Sequence, residues 1–498
     1  MAIPTGARNG QVLKFSYLPK KVKVDSNHYN FVKHVDIDFK GLKQEPSKNN
    51  FKDFSNSWPE DLVFPSARSL EIDMTGLVFQ RFDMNNADRN ERFYWLSKRI
   101  KTSMPKLQIA KFGDGKFDNT KFDFRLNVWA FNREWKASDF LSTVFGKATD
   151  VTIHIRHTHL VVDYPFMQNS TGLTSLEWGC VSNNSIFSGI VESSASTLET
   201  LDYQMPTYDY AKSLVFSDRN VPIVYPRLKN LKLSGNINSS LGRKIRMDKS
   251  VTPFPALRSI IWLSLYIFED DTLFRGNSGT LEHLDIMLGV ELADVLQRYN
   301  VFSGGKYSQL RNIALFDGEQ RFGTILTPRQ FVNIAVDFIS PATRSLQWNY
   351  YCSYRDIMSI ATANPYADNI QILELTKIET TVYELAALIK LLPNMVKLSC
   401  RPGDGFHRKR ASVNKIYKTY YPLSHRLKYW ESCDTTDEDI VYAPTTALVL
   451  SILCPNLSTV LVSAETKDEY GFRLAEDIES GVYDRHMDRI IHVKHIYI

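Results

Sequence analysis

One spacing of apolar residues recurs along most of this chain of 498 residues: an apolar residue, a second three positions later, and a third two positions after that. It is clearest at Leu228, Leu231 and Leu233, and again at Leu281, Leu284 and Ile286. Such a pattern is typical of a strand-plus-helix unit, which cannot bury its apolar face until a neighbouring unit covers it. The chain is therefore constrained to fold as a stack of repeated units.

The spacing of the copies identifies the class of repeat. Their first apolar positions lie 24 to 33 residues apart and fall at Ala148, Leu173, Leu198, Leu228, Leu257, Leu281, Leu310, Thr343, Ile370 and Met395. This spacing is typical of leucine-rich repeats at the long end of their range, roughly 20 to 29 residues. Strand, crossover helix and strand imply parallel pairing with right-handed connections. The sequence predicts an α/β leucine-rich-repeat solenoid with strands on the concave face and helices on the convex face.

Several helices between the strands carry their own start signals. Thr381 and Glu384 form a capping box, Thr327 precedes a proline, and Ser353 opens a third helical segment. The apolar residues of these segments repeat at three and four positions, which predicts one buried stripe per helix. The predicted stripes are Leu385, Leu388, Ile389 and Leu392; Phe331, Ile334, Ala335 and Phe338; and Ile357, Ile360 and Ala361.

Weaker copies of the pattern extend the array in both directions. We predict one irregular repeat domain over 32–498, most regular over 148–400, with a long insertion at about 401–423 and an N-terminal extension at 1–31. The N-terminus lacks the apolar core of a signal peptide, and no segment reaches the roughly 18 apolar residues of a membrane helix. The five cysteines are odd in number and scattered, which favours reduced thiols over a framework of disulfide bonds. The sequence predicts a cytoplasmic or nuclear protein without a membrane partner.

The sequence shows no recognisable catalytic, nucleotide-binding or metal-binding motif. His154, His157 and His159 are close in sequence, but no carboxylate or cysteine accompanies them at ligand spacing. No serine elbow, zinc-protease helix or phosphate loop is present. We therefore expect no enzyme activity, no metal and no cofactor.

Two basic clusters leave a second kind of partner open. The first comprises Arg243, Lys244, Arg246 and Lys249, and the second comprises His407, Arg408, Lys409 and Arg410. Each cluster is either a set of solvent-exposed charged residues in a loop or a patch that serves nuclear import or contacts phosphate. A formal net charge of +5 favours no global affinity for nucleic acid. Binding of nucleic acid or phosphate through the basic loop 407–410, with Arg408, Lys409 and Arg410, stays an alternative to protein recognition.

A repeat array of this kind binds partners through strand residues that point away from the helices. The positions between and after the second and third apolar residues predict the binding residues Asp202, Lys232, Ile261, Leu263, Asp285, Met287, Phe316, Gln347 and Glu374. The apolar members lie on successive predicted strands, which are about 4.8 Å apart and would form a patch roughly 10 to 15 Å across. A patch with a polar rim suits the anchor residues of a protein partner. The alternatives are that loops cover this patch or that the register is shifted by one residue.

Two stretches of the sequence resemble a known family. They are Phe268–Asn277 (FEDDTLFRGN) followed by 279–286 (GTLEHLDI), and 421–430 (YPLSHRLKYW) followed by 450–457 (LSILCPNL). They are similar to fungal F-box-associated leucine-rich-repeat proteins, and the likeness extends over about 25–498. Relatives open with an F-box, which docks onto the adaptor of a cullin-type ubiquitin ligase. Here only Tyr17, Leu18 and Pro19 match its start, so 1–31 is an N-terminal extension or a degenerate F-box remnant.

Together these observations predict a non-enzymatic scaffold that binds another protein on its concave face. The resemblance implies a substrate receptor of the F-box and leucine-rich-repeat type, with the cullin-ligase adaptor as a second partner. The alternative is a receptor-like paralogue with no ligase role.

Overall fold

A computed structural model describes 19 stretches of the chain, which forms two units, Met1–Leu257 and Arg258–Ile498. The described residues are 12–16, 30–38, 62–73, 95, 97–113, 134–136, 148–154, 159–161, 172–179, 184–205, 208–217, 219–235, 244–263, 267–317, 326–350, 352–403, 418–433, 443–461 and 495–497. Among them, no helix is both long enough and apolar enough to span a membrane.

The first unit contains a parallel sheet whose strands pair in chain order. Its strands are β1 (Val12–Ser16), β2 (His34–Asp38), β3 (Ser69–Asp73), β4 (Ile109–Gly113), β6 (Asp150–His154), β8 (Ser175–Trp178), β9 (Thr200–Met205) and β10 (Asn230–Gly235). Two short strands, β5 (Glu134–Lys136) and β7 (His159–Val161), pair separately. The described helices of this unit include α1 (Asn184–Ser194) and α2 (Tyr208–Val215).

The second unit repeats the same plan. Its parallel strands, again paired in chain order, are β11 (Ser259–Leu263), β12 (His283–Leu288), β13 (Asn312–Asp317), β14 (Ser345–Asn349), β15 (Ile372–Thr380), β16 (Lys397–Pro402), β17 (Tyr429–Ser432), β18 (Thr459–Leu461) and β19 (His495–Tyr497). The helices between them include α3 (Val290–Arg298), α4 (Pro328–Phe338), α5 (Tyr354–Ala363), α6 (Val382–Leu391) and α7 (Ala443–Leu453). Consecutive parallel strands joined by helices are the α/β leucine-rich-repeat architecture that the sequence predicts.

The predicted first position of every repeat from Ala148 to Met395 is buried, with at most 3% of its surface exposed. Thr343 is the one residue with a hydroxyl group at these ten positions, and its Oγ1 donates to the carbonyl oxygen of Leu310 at 3.0 Å. The same Oγ1 accepts from the backbone N–H of Ser340 at 2.9 Å. A buried hydroxyl is tolerated when its hydrogen bonds are made, so threonine can occupy this apolar position.

The three predicted helix starts are confirmed. Thr381, Thr327 and Ser353 are the N-caps of α6, α4 and α5, and each side chain accepts from a backbone N–H three residues later. In α6, the Glu384 carboxylate also accepts from the backbone N–H of Thr381 at 2.8 Å. Each residue of the three predicted stripes is buried. These helices follow from local chemistry, because capping and periodicity act within a few residues.

The strand β1 lies within 1–31, the stretch that the sequence separates from the repeat domain. It pairs parallel with β2 from Val12↔His34 to Ser16↔Asp38. The parallel ladder therefore begins before residue 32. Most of this stretch lies outside the described residues, so its interpretation as an F-box remnant stays a prediction.

Candidate protein-binding face

In both units, strands of the parallel ladder have one face formed by side chains that alternate with the buried apolar residues. Burial alternates along β8, β12 and β14, where every second residue is buried and the residues between them are half-buried. Successive side chains of a strand point to opposite faces of a sheet, so the half-buried residues share the face opposite the apolar core. We call this side of each unit its strand face.

On the second unit, the strand face carries three apolar side chains on neighbouring strands. Ile261 on β11 is 38% exposed, and Met287 on β12 and Phe316 on β13 are half-buried. Met287 pairs in register with Phe316, and Asp285 pairs with Ala314. Neighbouring strands are about 4.8 Å apart, so these apolar groups span about 10 Å. The predicted orientation of Ile261, Asp285, Met287 and Phe316 agrees with the structure, and their binding role stays a prediction.

Leu263 does not belong to this face, so the predicted orientation of its side chain is wrong. Only 1% of its surface is exposed, and it pairs with the core residue Ile286. Between Ile260 and Leu263 the register shifts, because β11 uses three residues where β12 uses two. This bulge adds one residue to the strand, so Leu263 takes the core position that the regular spacing assigns to residue 262.

A line of charged and polar groups continues the strand face of the second unit beyond this patch. Gln347 on β14 pairs with Glu374 on β15, and both are half-buried. Lys397 Nζ lies 2.9 Å from Glu374 Oε1 and 3.0 Å from Glu431 Oε2. Burial lowers the pKa of Lys397, but its hydrogen bonds with Glu374 and Glu431 outweigh burial, so the pKa lies above its usual value. The lysine therefore stays charged and joins three successive strands.

The sequence prediction missed Lys397 and Glu431. The repeat template marks only the positions after the second apolar residue, whereas Lys397 precedes Leu398 on its strand. Its alternation with Ser399 could have placed both residues on one face, and Ser399 Oγ does donate to Glu431 at 2.9 Å. For Lys397 the useful signal was therefore strand alternation, which extends one residue to each side of the template. Glu431 occupies the template position after Trp430, which pairs with Leu398.

In the first unit, the predicted binding residues Asp202 and Lys232 lie on the strand face of β9 and β10. The two residues are register partners, and Lys232 Nζ is 2.7 Å from Asp202 Oδ2. Their side chains are 16% and 26% exposed, respectively. The structure brings together these two predicted residues, which lie 30 positions apart in the sequence.

The motif Phe268–Asn277 is held together by internal hydrogen bonds and ion pairs. Asp270 is 5% exposed, and Arg275 Nη2 lies 2.9 Å from its Oδ2 and 3.0 Å from Asp271 Oδ1. The Asn277 amide donates to the carbonyl oxygen of Leu273 at 2.9 Å. These contacts fold the segment onto itself just before β12.

The basic residues Arg408, Lys409 and Arg410 lie outside the described residues, so the structure does not test the alternative that they suggest. Within the described part of the chain, no group of three or more histidines, cysteines, aspartates or glutamates is placed to hold a metal ion.

Comparisons with known proteins identify no family for this chain. No family model matches the sequence, and no curated protein matches it. Among solved structures, the TLR13–ssRNA13 complex matches with a TM-score of 0.40 at 14% identity, over 91% of this chain. This chain spans only 57% of the length of that protein. The Rad7 and Elc1 complex in yeast matches with a TM-score of 0.31 at 11% identity, over 80% of this chain and 76% of that one.

Proposed function

We propose that this protein is a non-enzymatic scaffold that recognises another protein on the strand face of its repeats. The observation that carries the proposal is the apolar group of Ile261, Met287 and Phe316, which lies on three neighbouring strands of a face that also carries polar and charged side chains. Interfaces take most of their binding energy from a few well-packed anchors surrounded by polar groups. A cluster of this kind, next to Asp285 and Gln347, gives a partner both an anchor site and a polar rim.

The energetics favour a binding role over a folding role for these side chains. Each of them retains exposure, whereas the core positions of the same strands, such as Leu284, Ile286 and Leu315, are fully buried. Apolar surface left in contact with water contributes roughly 25 cal/mol per Å² once a partner covers it. The strands that present these groups are anchored by a hydrogen-bonded ladder and a packed core. The face is therefore preorganised, and binding does not have to order it.

The finer proposal is that the scaffold acts as a substrate receptor linked to a cullin-type ubiquitin ligase in the cytoplasm or nucleus. It rests on the resemblance of the motifs in 268–286 and 421–457. A receptor-like paralogue with no ligase role is the alternative. The adaptor itself separates the two: a receptor co-purifies with it, and a paralogue does not.

Affinity purification of the full chain from its native cell tests the proposal. Met287→Asp and Phe316→Asp should each reduce recovery of the specific protein partner at least tenfold, because a charge cannot enter an apolar contact without losing its hydration. Gln297→Asp is the matched control, since Gln297 is exposed on α3 of the same repeat. The melting temperatures of all three variants should lie within a few degrees of that of the wild type. Full partner recovery by both strand-face variants contradicts the proposal.

A further inference from the structure

A turn in the first unit presents two valines to water. Val221 is 57% exposed and Val224 is 43% exposed. They lie between α2 and β10. Ile223 and Tyr225, on either side of Val224, are 6% and 0% exposed, so their side chains anchor the segment in the core while Val221 and Val224 stay exposed.

Backbone hydrogen bonds fix the turn that exposes the two valines. The Ser217 N–H donates to the carbonyl oxygen of Val221 at 2.9 Å, and the Asn220 N–H donates to the carbonyl oxygen of Ser217 at 2.9 Å. Asn220 adopts a φ of 56°, a left-handed conformation that asparagine tolerates better than most residues. The Ile223 N–H donates to the carbonyl oxygen of Val215 at 2.8 Å, which ties the turn to α2. A side chain held outward by such a frame loses little conformational entropy on binding.

The sequence around the two valines has an excess of basic residues. Residues 208–257 contain nine lysines and arginines but three aspartates and no glutamate. Two of the nine, Lys229 and Lys232, form ion pairs with Glu199 and Asp202. Arg219 and Arg227 are exposed on either side of the valines. The neighbouring segment 244–254 adds exposed Arg246 and Lys249, and it is joined to the turn by a 2.8 Å bond from the Tyr225 N–H to the carbonyl oxygen of Pro253. This combination favours an apolar ligand that also carries negative charge.

We propose that the turn around Val221 and Val224 is a second docking site, which takes an acidic protein segment bearing aliphatic side chains. The valines contact the aliphatic groups, and Arg219 and Arg227 pair with the carboxylates beside them. A single nucleic acid strand fits less well, because such ligands stack their bases on exposed aromatic rings. The tyrosine of this segment, Tyr225, is fully buried, and its hydroxyl donates to the carbonyl oxygen of Leu214 at 2.6 Å.

Peptide display on the immobilised full chain tests this proposal. A random library of 12-residue peptides should yield sequences that combine two or more aliphatic residues with aspartate or glutamate, and these should fail to bind a Val221→Asp, Val224→Asp double variant. In fluorescence polarisation, the best enriched peptide should bind this variant at least tenfold more weakly. Val63→Asp should leave the affinity unchanged, because Val63 is comparably exposed, at 41%, on a different repeat.

Salt and competition measurements examine the charge component. Arg219→Ser with Arg227→Ser should weaken peptide binding at least threefold at low salt and flatten its dependence on ionic strength. A 12-nucleotide poly(dT) should not displace the peptide. The double variant Val221→Ser, Val224→Ser removes the apolar side chains without adding charge. It should weaken peptide binding and leave the melting temperature unchanged. Enriched peptides without acidic residues, peptide binding that survives both valine double variants, or displacement by poly(dT) would overturn the proposal.

Discussion

The bulge in β11 makes a quantitative prediction about two residues only two positions apart. Leu263 is 1% exposed and packs in the core, so its truncation in Leu263→Ala should cost about 3 kcal/mol, within the range of about 2 to 5 for buried leucines. Ile261 is 38% exposed, so Ile261→Ala removes methylene groups that already touch water and leaves no closed cavity. We expect a cost of about 1 kcal/mol. The difference of about 2 kcal/mol corresponds to roughly a 30-fold change in the folding equilibrium.

Urea unfolding followed by tryptophan fluorescence measures this difference. Both variants should keep the wild-type dependence of the unfolding free energy on urea, so that the midpoints report stability alone. Repeat arrays can unfold in parts, so the comparison rests on the first transition that both variants share with the wild type. A larger loss for Ile261→Ala than for Leu263→Ala would restore the regular register and refute the bulge.

Three further predictions concern caps, charges and thiols. Thr381→Ala should destabilise the protein by about 1 kcal/mol in denaturant, because it removes the α6 cap, whereas Thr381→Ser should not. The ion pairs of Lys397 with Glu374 and Glu431 raise its pKa, so they stabilise the folded protein below pH 10.5, and this stabilisation is lost as the pH rises through the raised pKa. Lys397→Met should lower the melting temperature at pH 7 and remove this loss of stability at alkaline pH. Burial raises the pKa of Cys454 to about 12, so its alkylation at pH 8 should be far slower than that of a free cysteine.

Features that depend on neighbouring residues could be predicted from the sequence. The helices starting at Thr327, Ser353 and Thr381 depend on a cap three residues from its partner and on apolar residues one turn apart, and all three are present. The core positions from Ala148 to Met395 are also buried as predicted, because each repeat must present them to its neighbours.

Features that depend on pairing between distant residues could not be predicted. The bulge that buries Leu263 appears only when β11 is aligned with β12. The contacts of Lys397 join residues 23 positions before it and 34 after it, so no local pattern reveals them. The strand β1 has five residues, and its pairing with β2 is what identifies it as part of the ladder. Strand register and cross-strand contacts are therefore the part of the site that required the structure.

Site-specific photocrosslinking tests the central claim most directly. A benzophenone side chain placed at Phe316 projects from the strand face, whereas the same group placed at Gln297 projects from α3. In the native cell, the account predicts that position 316 yields one prominent crosslinked protein and that Met287→Asp abolishes it, while position 297 yields none. Crosslinking of the same protein from position 297 with none from position 316 would contradict recognition by the strand face.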